Sequence, residues 1–212
     1  VHLLQKYVAF GGRVPALHKL GGTAWEKAKA KAYVGAWTYA KGLVELQAKR
    51  VALPGWACGE DHEWQRPFEK AFPFRETPDQ ARASREVKQD LARRQPMDRL
   101  LLGDVGYGKT EVAVRAAFKV VMAGRQVVVL VPTTLLAYQH YRTFTKRVAG
   151  FPVQVEMLSR FQSERDQRHI IRALRDGTCD IVIRTHRLLS GDVRLKELGL
   201  LIIDEQQRFG VR

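Results

Sequence analysis

Between residues 103 and 110 the chain reads Gly103-Asp104-Val105-Gly106-Tyr107-Gly108-Lys109-Thr110, the spacing G-x-x-x-x-G-K-[ST]. Each residue type in that spacing suits work on a phosphate chain. Gly103, Gly106 and Gly108 allow backbone conformations closed to a Cβ, so successive amide N–H groups can point into one concavity. Lys109 supplies a cation for the β- and γ-phosphates, and the Thr110 hydroxyl suits a magnesium ligand. Farther along stands Leu200-Leu201-Ile202-Ile203-Asp204-Glu205, an aliphatic run ending in paired carboxylates. Asp204 would hold Mg²⁺ through its water shell, and Glu205 would accept a proton from an attacking water. An apolar run ending in Asp-Glu says little by itself. Together with a phosphate loop in the same sheet, it completes a site for phosphoryl transfer.

That chemistry requires both motifs at one rim of a sheet, and the flanking pattern predicts how they get there. Arg99–Gly103 reads as a strand entering the glycine turn, and Lys109–Ala123 as a helix ended by Gly124. Strands follow at Gln126–Val131, Val153–Leu158, Asp180–Arg184 and Leu198–Ile203, the last of them buried. Helices alternate with them at Leu135–Val148, ended by Gly150, and at about Glu164–Asp176, capped by Ser163 with Asp166 and ended by Gly177. Near-continuous apolar strands separated by helices imply an α/β fold with a mostly parallel sheet covered by helices on both faces. Ligands of open α/β sheets sit at the carboxyl ends of the strands. Upstream, Thr77-Pro78-Asp79-Gln80 is a strong helix start: an N-cap, Pro at the first helical position and Gln at the capping-box position. That helix should run to about Arg94 and stop before Pro96.

The first third of the chain is of another kind. Val1–Phe10 reads as one strand with too little before it to make a sheet. A helix is expected from Ala24 to about Arg50, with Thr23 as N-cap and Glu26 in the capping-box position. Lys27, Lys29, Lys31 and Lys41 make it basic, and Gly35 and Gly42 each weaken it by about 1 kcal/mol relative to Ala. Trp25, Tyr33, Trp37 and Tyr39 are many aromatics for a solvated helix, so one face should pack on something. Pro54-Gly55-Trp56 breaks it, and Asp61–Lys70 is a short charged segment. The expected division is therefore residues 1–16, 17–70 as a helical connecting arm, and 71–212 as the nucleotide-binding domain. Val1 starts inside an apolar segment and Arg212 follows a motif without closing a fold, so both ends read as cuts.

A chain of 212 residues, 45% hydrophobic and 27% charged, has enough material for a core. Its formal charge of +14 argues for a polyanionic partner, nucleic acid first. Cys58 and Cys179 lack metal-site spacing and read as reduced thiols of a cytoplasmic chain. No apolar run approaches the ~18 residues of a membrane span, and no signal peptide is visible, so no membrane role is expected.

Four stretches carry a resemblance: 103–113 around the glycine loop, Val131-Pro132-Thr133-Thr134-Leu135-Leu136-Ala137, Thr185-His186-Arg187-Leu188-Leu189, and Asp204-Glu205. They resemble motifs I, Ia, Ic and II of the superfamily 2 helicases and translocases. Leu17-His18-Lys19-Leu20-Gly21-Gly22, Ala71-Phe72-Pro73-Phe74, Pro96-Met97-Asp98-Arg99-Leu100, Leu158-Ser159-Arg160-Phe161 and Gln207-Arg208-Phe209-Gly210-Val211 narrow the likeness to the bacterial transcription-repair coupling factors. The motor portion is shared with RecG-type fork-remodelling helicases; the arm with Trp25 and the Leu17–Gly22 segment speaks against that branch.

The resemblance implies a RecA-like P-loop domain preceded by a long helical arm and by the tail of an RNA-polymerase-interacting domain. It implies ATP and Mg²⁺ as cofactors, with Glu205 and Lys109 catalytic and Thr110 and Asp204 on the metal. Gly103, Val105, Gly106, Tyr107, Gly108, Lys109, Thr110 and Glu111 would surround the phosphates. Phe72 would stack on adenine and Gln80 would bond its edge; equally, Phe72 fits a core aromatic and Gln80 the helix cap. Implied partners are double-stranded DNA, RNA polymerase (contacted mostly upstream) and nucleotide-excision repair proteins, in the cytoplasm. A non-catalytic adaptor remains the contrasting reading, against which Lys109, Thr110, Asp204 and Glu205 are all intact.

A duplex translocase must grip phosphates without reading bases, which calls for hydroxyls, amides and cations at turns. Thr133 and Thr134 stand at one strand-to-helix turn, where a helix N-terminus can face a phosphate. Thr185, His186 and Arg187 occupy another, and Arg160 follows a third, together a basic track. Two positions depart from the family pattern: Arg184 replaces the glycine usual before Thr-His, and Gln206 replaces a glutamate. The former puts a long cation where close approach to DNA is expected, adding a phosphate contact or distorting the turn.

Overall fold

The structure is a computed structural model that describes residues 22–159, 162–185 and 193–208. The chain divides into two units, Val1–Ala52 and Leu53–Arg212. In the first, α1 (Thr23–Ala52) is a single helix with basic Lys49 and Arg50 in its last turn. Apolar residues lie all round it, so it has no face to bury, and none of its residues is buried. The packed face expected of its aromatics is therefore not formed among the described residues. Segment 1–16 and the Leu17–Gly21 stretch lie outside the described residues.

The second unit is built on four parallel strands: β1 (Gln126–Val131), β2 (Val155–Leu158), β3 (Ile181–Thr185) and β4 (Leu198–Ile203), in the order β2-β3-β1-β4. Helices α2 (Gln65–Lys70), α3 (Pro78–Leu91), α4 (Lys109–Met122), α5 (Thr134–Val148) and α6 (Glu164–Asp176) complete it. Strand periodicity sorts the core. Val127, Val129, Val131, Ile181, Ile183 and Leu200 face one side and pack with Val114, Phe118 and Phe144 of α4 and α5. Val128, Leu130 and Val182 face the other side and pack with Ile170 and Leu174 of α6. Helices thus cover both faces of a parallel sheet, a RecA-like α/β fold.

In the second unit the local signals that set the helix starts are realised, whereas Thr23, expected as the cap of the first helix, is instead its first residue. Thr77 caps α3 in a reciprocal capping box with Gln80. Ser163 caps α6 by accepting from the Asp166 N–H, and α6 ends on Gly177 at φ 81°.

Two long-range expectations are corrected. Residues 99–103 form no strand: Leu100 and Leu102 are exposed, the latter at 80%, and the segment is anchored instead by Arg99, which pairs with Asp90 and Glu86 of α3. An apolar run becomes a strand only with a neighbouring ladder, and no strand pairs with this one among the described residues. For the same reason β4 is not buried. Among the described residues it pairs with β1 alone, and Leu201 and Ile203 are 48% and 47% exposed on the face that α6 leaves uncovered.

Residues 53–70, grouped above with the arm, pack into the second unit. The Phe68 ring stacks on Phe118 of α4 with centroids 3.9 Å apart. The Cys58 N–H donates to the Leu91 carbonyl at 2.7 Å. Asp61 accepts from Lys119 at 2.8 Å and from Lys88 at 2.7 Å, and Lys119 is buried. Burial pushes the Asp61 carboxyl up, but the hydrogen bonds from Lys119 and Lys88 outweigh it and hold the group below its ordinary 3.8. Lys88, opposed by burial but bonded to Asp61 and Glu69, is held above its ordinary 10.5. A depressed carboxylate stabilises the fold above its unfolded pKa, and that contribution is lost as pH falls through the folded value. The raised lysine contributes below its unfolded pKa and loses it as pH rises through the folded value. Stability should therefore fall as pH drops below about 4, and less so in Asp61→Asn, which lacks the titrating partner. Urea unfolding at pH 3 and pH 6 on both proteins measures the difference.

Candidate nucleotide site at the carboxyl rim of the sheet

The rim follows from the register. Val131 at the end of β1 lies opposite Thr185 at the end of β3, and Leu130 lies opposite Ile203 at the end of β4. Thr133, Thr185 and Asp204 therefore leave three adjacent strands at one edge. The Asp204 N–H continues the ladder to the Leu130 carbonyl at 2.9 Å.

The glycine loop opens onto α4 beside them. Gly108 caps α4 in the left-handed region at φ 73°, and Gly106 stands at φ 85°. The left-handed conformation favours glycine at 108, and a Cβ there would also push on the Gln80 side-chain nitrogen. The Lys109 ammonium lies across the loop, donating to the carbonyls of Gly103 at 2.5 Å and Asp104 at 2.8 Å. Val105 and Tyr107 are exposed on the loop, and Thr110 sits half-buried in the first turn of α4. Gln80 uses its amide twice: Oε1 accepts from the Thr77 N–H at 2.9 Å, and Nε2 donates to the Tyr107 carbonyl at 2.9 Å. The capping residue is thus also a strut under the phosphate loop.

Asp204 is held from two sides. Oδ1 accepts from the Glu205 N–H at 3.0 Å, and Oδ2 bonds His140 Nε2 of α5 at 2.7 Å. The His140 hydrogen bond, with smaller help from the Lys109 charge, holds this carboxyl below the usual carboxylate range despite burial. That the Lys109 field reaches Asp204 puts the loop and the acidic pair in one electrostatic neighbourhood. Glu205 takes φ 53°, a left-handed conformation costly for a side chain other than Gly, Asn or Asp, and its Oε2 accepts from Gln207 at 2.5 Å.

Glu111 is not part of this arrangement. Its carboxylate is buried and accepts from Arg115 Nε at 2.9 Å and from Arg147 Nε and Nη2 at 2.9 and 2.7 Å. With three donors on it, its side chain is committed to an ion network rather than to the loop. Phe72 borders that network: Arg115 and Arg147 lie 5.4 and 5.6 Å from its ring centroid, and Phe74 packs on its edge at 5.6 Å. One side of Phe72 opens on a surface pocket that includes Phe74, Glu76 and Arg115.

Among the candidate track residues, Thr133 caps α5, its hydroxyl accepting from the Leu136 N–H at 3.2 Å, and Thr134 begins the helix. Thr185 closes β3. Arg160, His186 and Arg187 lie outside the described residues. Arg184 is 6% exposed, and β3 keeps its register with β1 through Thr185. The strand is not distorted, and the cation is inside rather than on the surface. His140, Gln207 and Arg147 were not anticipated. The only hint for His140 is its spacing with Ala137 and Phe144, three and four residues away along one buried helix face.

The description of the DEAD/DEAH box helicase family matches residues 77–212, from the α3 cap through the phosphate loop to the acidic pair. The chain belongs to the DEAD/DEAH box helicase family. Nucleotide binding follows from that membership. The transcription-repair-coupling factor of Bacillus subtilis (strain 168) is 54% identical to this helicase chain over 208 residues, 98% of this chain and 18% of that protein. The protein of the same description in Staphylococcus aureus (strain USA300) is 52% identical over 209 residues, again 18% of its length. The helicase chain thus spans less than a fifth of these relatives. In solved structures, RecG bound to a three-way DNA junction superposes with a TM-score of 0.73 at 39% identity, covering 79% of this chain and 23% of that one. Among the described residues no helix is long and apolar enough to cross a membrane.

Proposed function

We propose that this chain is the ATP-binding lobe of a double-stranded DNA translocase that acts on stalled RNA polymerase in transcription-coupled DNA repair. The observation that carries the reading is the shared edge at which Asp204 and the Thr133 and Thr185 turns leave three adjacent strands, with the Lys109 charge acting on the Asp204 carboxyl. The 52–54% identity to transcription-repair-coupling factors over nearly the whole chain favours that branch over a RecG-type fork helicase. Residues 1–16 would be the tail of the polymerase-interacting domain, 17–52 the connecting arm and 53–212 the first motor lobe.

In this reading the amides of Gly106 to Thr110 and the N-terminal end of α4 hold the triphosphate, and Lys109 swings from its loop carbonyls to the β- and γ-phosphates. The residues present fit magnesium: the Thr110 hydroxyl is in the first turn, and each Asp204 oxygen keeps a lone pair beyond its one protein partner. Magnesium of this kind leans on phosphate and water with one or two protein ligands. Bound magnesium would supply positive charge against the phosphate oxygens. Glu205, oriented by Gln207, takes the proton of the attacking water. Phe72 stacks on the base and Gln80 reads its edge while bracing the loop. Thr133, Thr134, Arg160, Thr185, His186 and Arg187 grip duplex phosphates, and a second lobe supplies an arginine finger when it closes.

In the full-length protein, ATP should drive displacement of a third strand from duplex DNA and release of a stalled RNA polymerase. The 212-residue chain alone should show little ATP turnover. Remodelling of forked DNA with no effect on a stalled polymerase would favour the RecG-type reading instead.

A further inference from the structure

One polar side chain at the rim has no part in the roles above. His140 sits on α5, six residues after Thr134, about 9 Å along the helix axis at the standard rise. Its imidazole is almost buried, and Nε2 lies 2.7 Å from Asp204 Oδ2. An ionised carboxylate can only accept, so Nε2 carries the hydrogen and donates. The other ring nitrogen, Nδ1, is buried with no hydrogen-bond partner among the described residues. The ring is thus oriented by a single polar contact, to Asp204, and by packing edge-on against Phe144 at 6.2 Å. A residue needed only to fill this space would bury no polar nitrogen. The helix that carries it is pinned by buried Ala137, Phe144 and Val148, and begins at the Thr133 cap. It therefore links, as one continuous element, the turn assigned to the duplex and the carboxylate assigned to the metal.

We propose that His140 is a positioning residue that sets the Asp204 carboxylate for magnesium and passes occupancy of the α5 N-terminal turn to the nucleotide site. A phosphate seated on the Thr133-Thr134 turn shifts or steadies α5, and the imidazole carries that change to Asp204 Oδ2 through one hydrogen bond. Coupling of this kind is reciprocal, so magnesium nucleotide alters duplex affinity through the same contact. The inference rests on the assignment of Asp204 to the metal and of the α5 turn to DNA.

The test uses the full-length protein with His140→Ala and His140→Gln, the latter able to place an N–H near where Nε2 stands. Binding of a fluorescent ATP analogue is titrated against Mg²⁺, and ATP turnover is measured with and without duplex DNA. In His140→Ala the Mg²⁺ concentration for half-maximal nucleotide binding should rise about 10–100-fold, and stimulation by duplex should fall by a similar factor. Duplex affinity without nucleotide should stay within about twofold. His140→Gln should recover most of both losses. Unchanged Mg²⁺ dependence and unchanged stimulation in His140→Ala overturn the proposal, as does an equal loss in His140→Gln. Asp204→Asn is the separate control: if it keeps the parent's Mg²⁺ dependence, the metal assignment itself fails, whatever His140 does.

Discussion

Lys109→Ala is expected to cut ATP turnover of the full-length protein by about 10²–10³-fold, the loss typical of removing one preorganised electrostatic contact to a developing charge. Folding should be nearly untouched. The ammonium bonds only the Gly103 and Asp104 carbonyls across a solvent-exposed loop, so truncation leaves no buried group unpaired. The unfolding free energy should change by about 0.5 kcal/mol or less, as for other surface substitutions. Duplex binding without nucleotide should also persist, since the Thr133 and Thr185 turns lie on other strands. Steady-state ATPase assays, urea unfolding and duplex titration together check it. Turnover that survived the substitution would remove the phosphate-loop reading and leave a basic adaptor.

Glu111→Ala should act the other way, through stability. This carboxylate is the common acceptor of two nearly buried guanidinium groups, and Arg147 makes two bonds to it while also donating to the Phe68 carbonyl at 3.2 Å. Arg115 is tied onward to Glu76 at 2.6 Å. Removing the shared acceptor leaves Arg147 with no carboxylate among the described residues and Arg115 with Glu76 alone, and breaking a buried pair in this way costs about 3–5 kcal/mol. Against a total of about 5–15 kcal/mol for a domain, that is a large fraction. Chemical denaturation should show it directly. Glu111→Gln, which keeps an acceptor but not the charge, should lie between alanine and the parent. If Glu111→Ala left stability unchanged and raised only the KM for ATP, the residue would belong with the nucleotide loop, as the family resemblance first suggested.

Glu111 also shows where sequence reading stops. The family resemblance placed it with the phosphates, but a helix turns about 100° per residue, and position 111 faces the core. The Thr77–Gln80 capping box was legible because both partners lie within one turn of chain; the same glutamine's bond to Tyr107, 27 residues away, was not. Leu100-Leu101-Leu102 carries the composition of a strand, yet strand formation depends on a partner ladder that composition does not encode. Phe68 looked like part of a charged linker because its stacking partner, Phe118, is fifty residues distant in sequence.

By itself, the sequence determined the candidate groups for chemistry and the turns that hold them. The glycine spacing, the caps of α3, α5 and α6, and the acids after β4 are set by interactions within a few residues. Tertiary structure alone decided which of those turns share a rim, that His140 and not a neighbour holds Asp204, and that residues 53–70 pack on α4. Such pairings depend on strand order and helix docking, which bring together groups separated by tens of residues and leave no trace in local spacing.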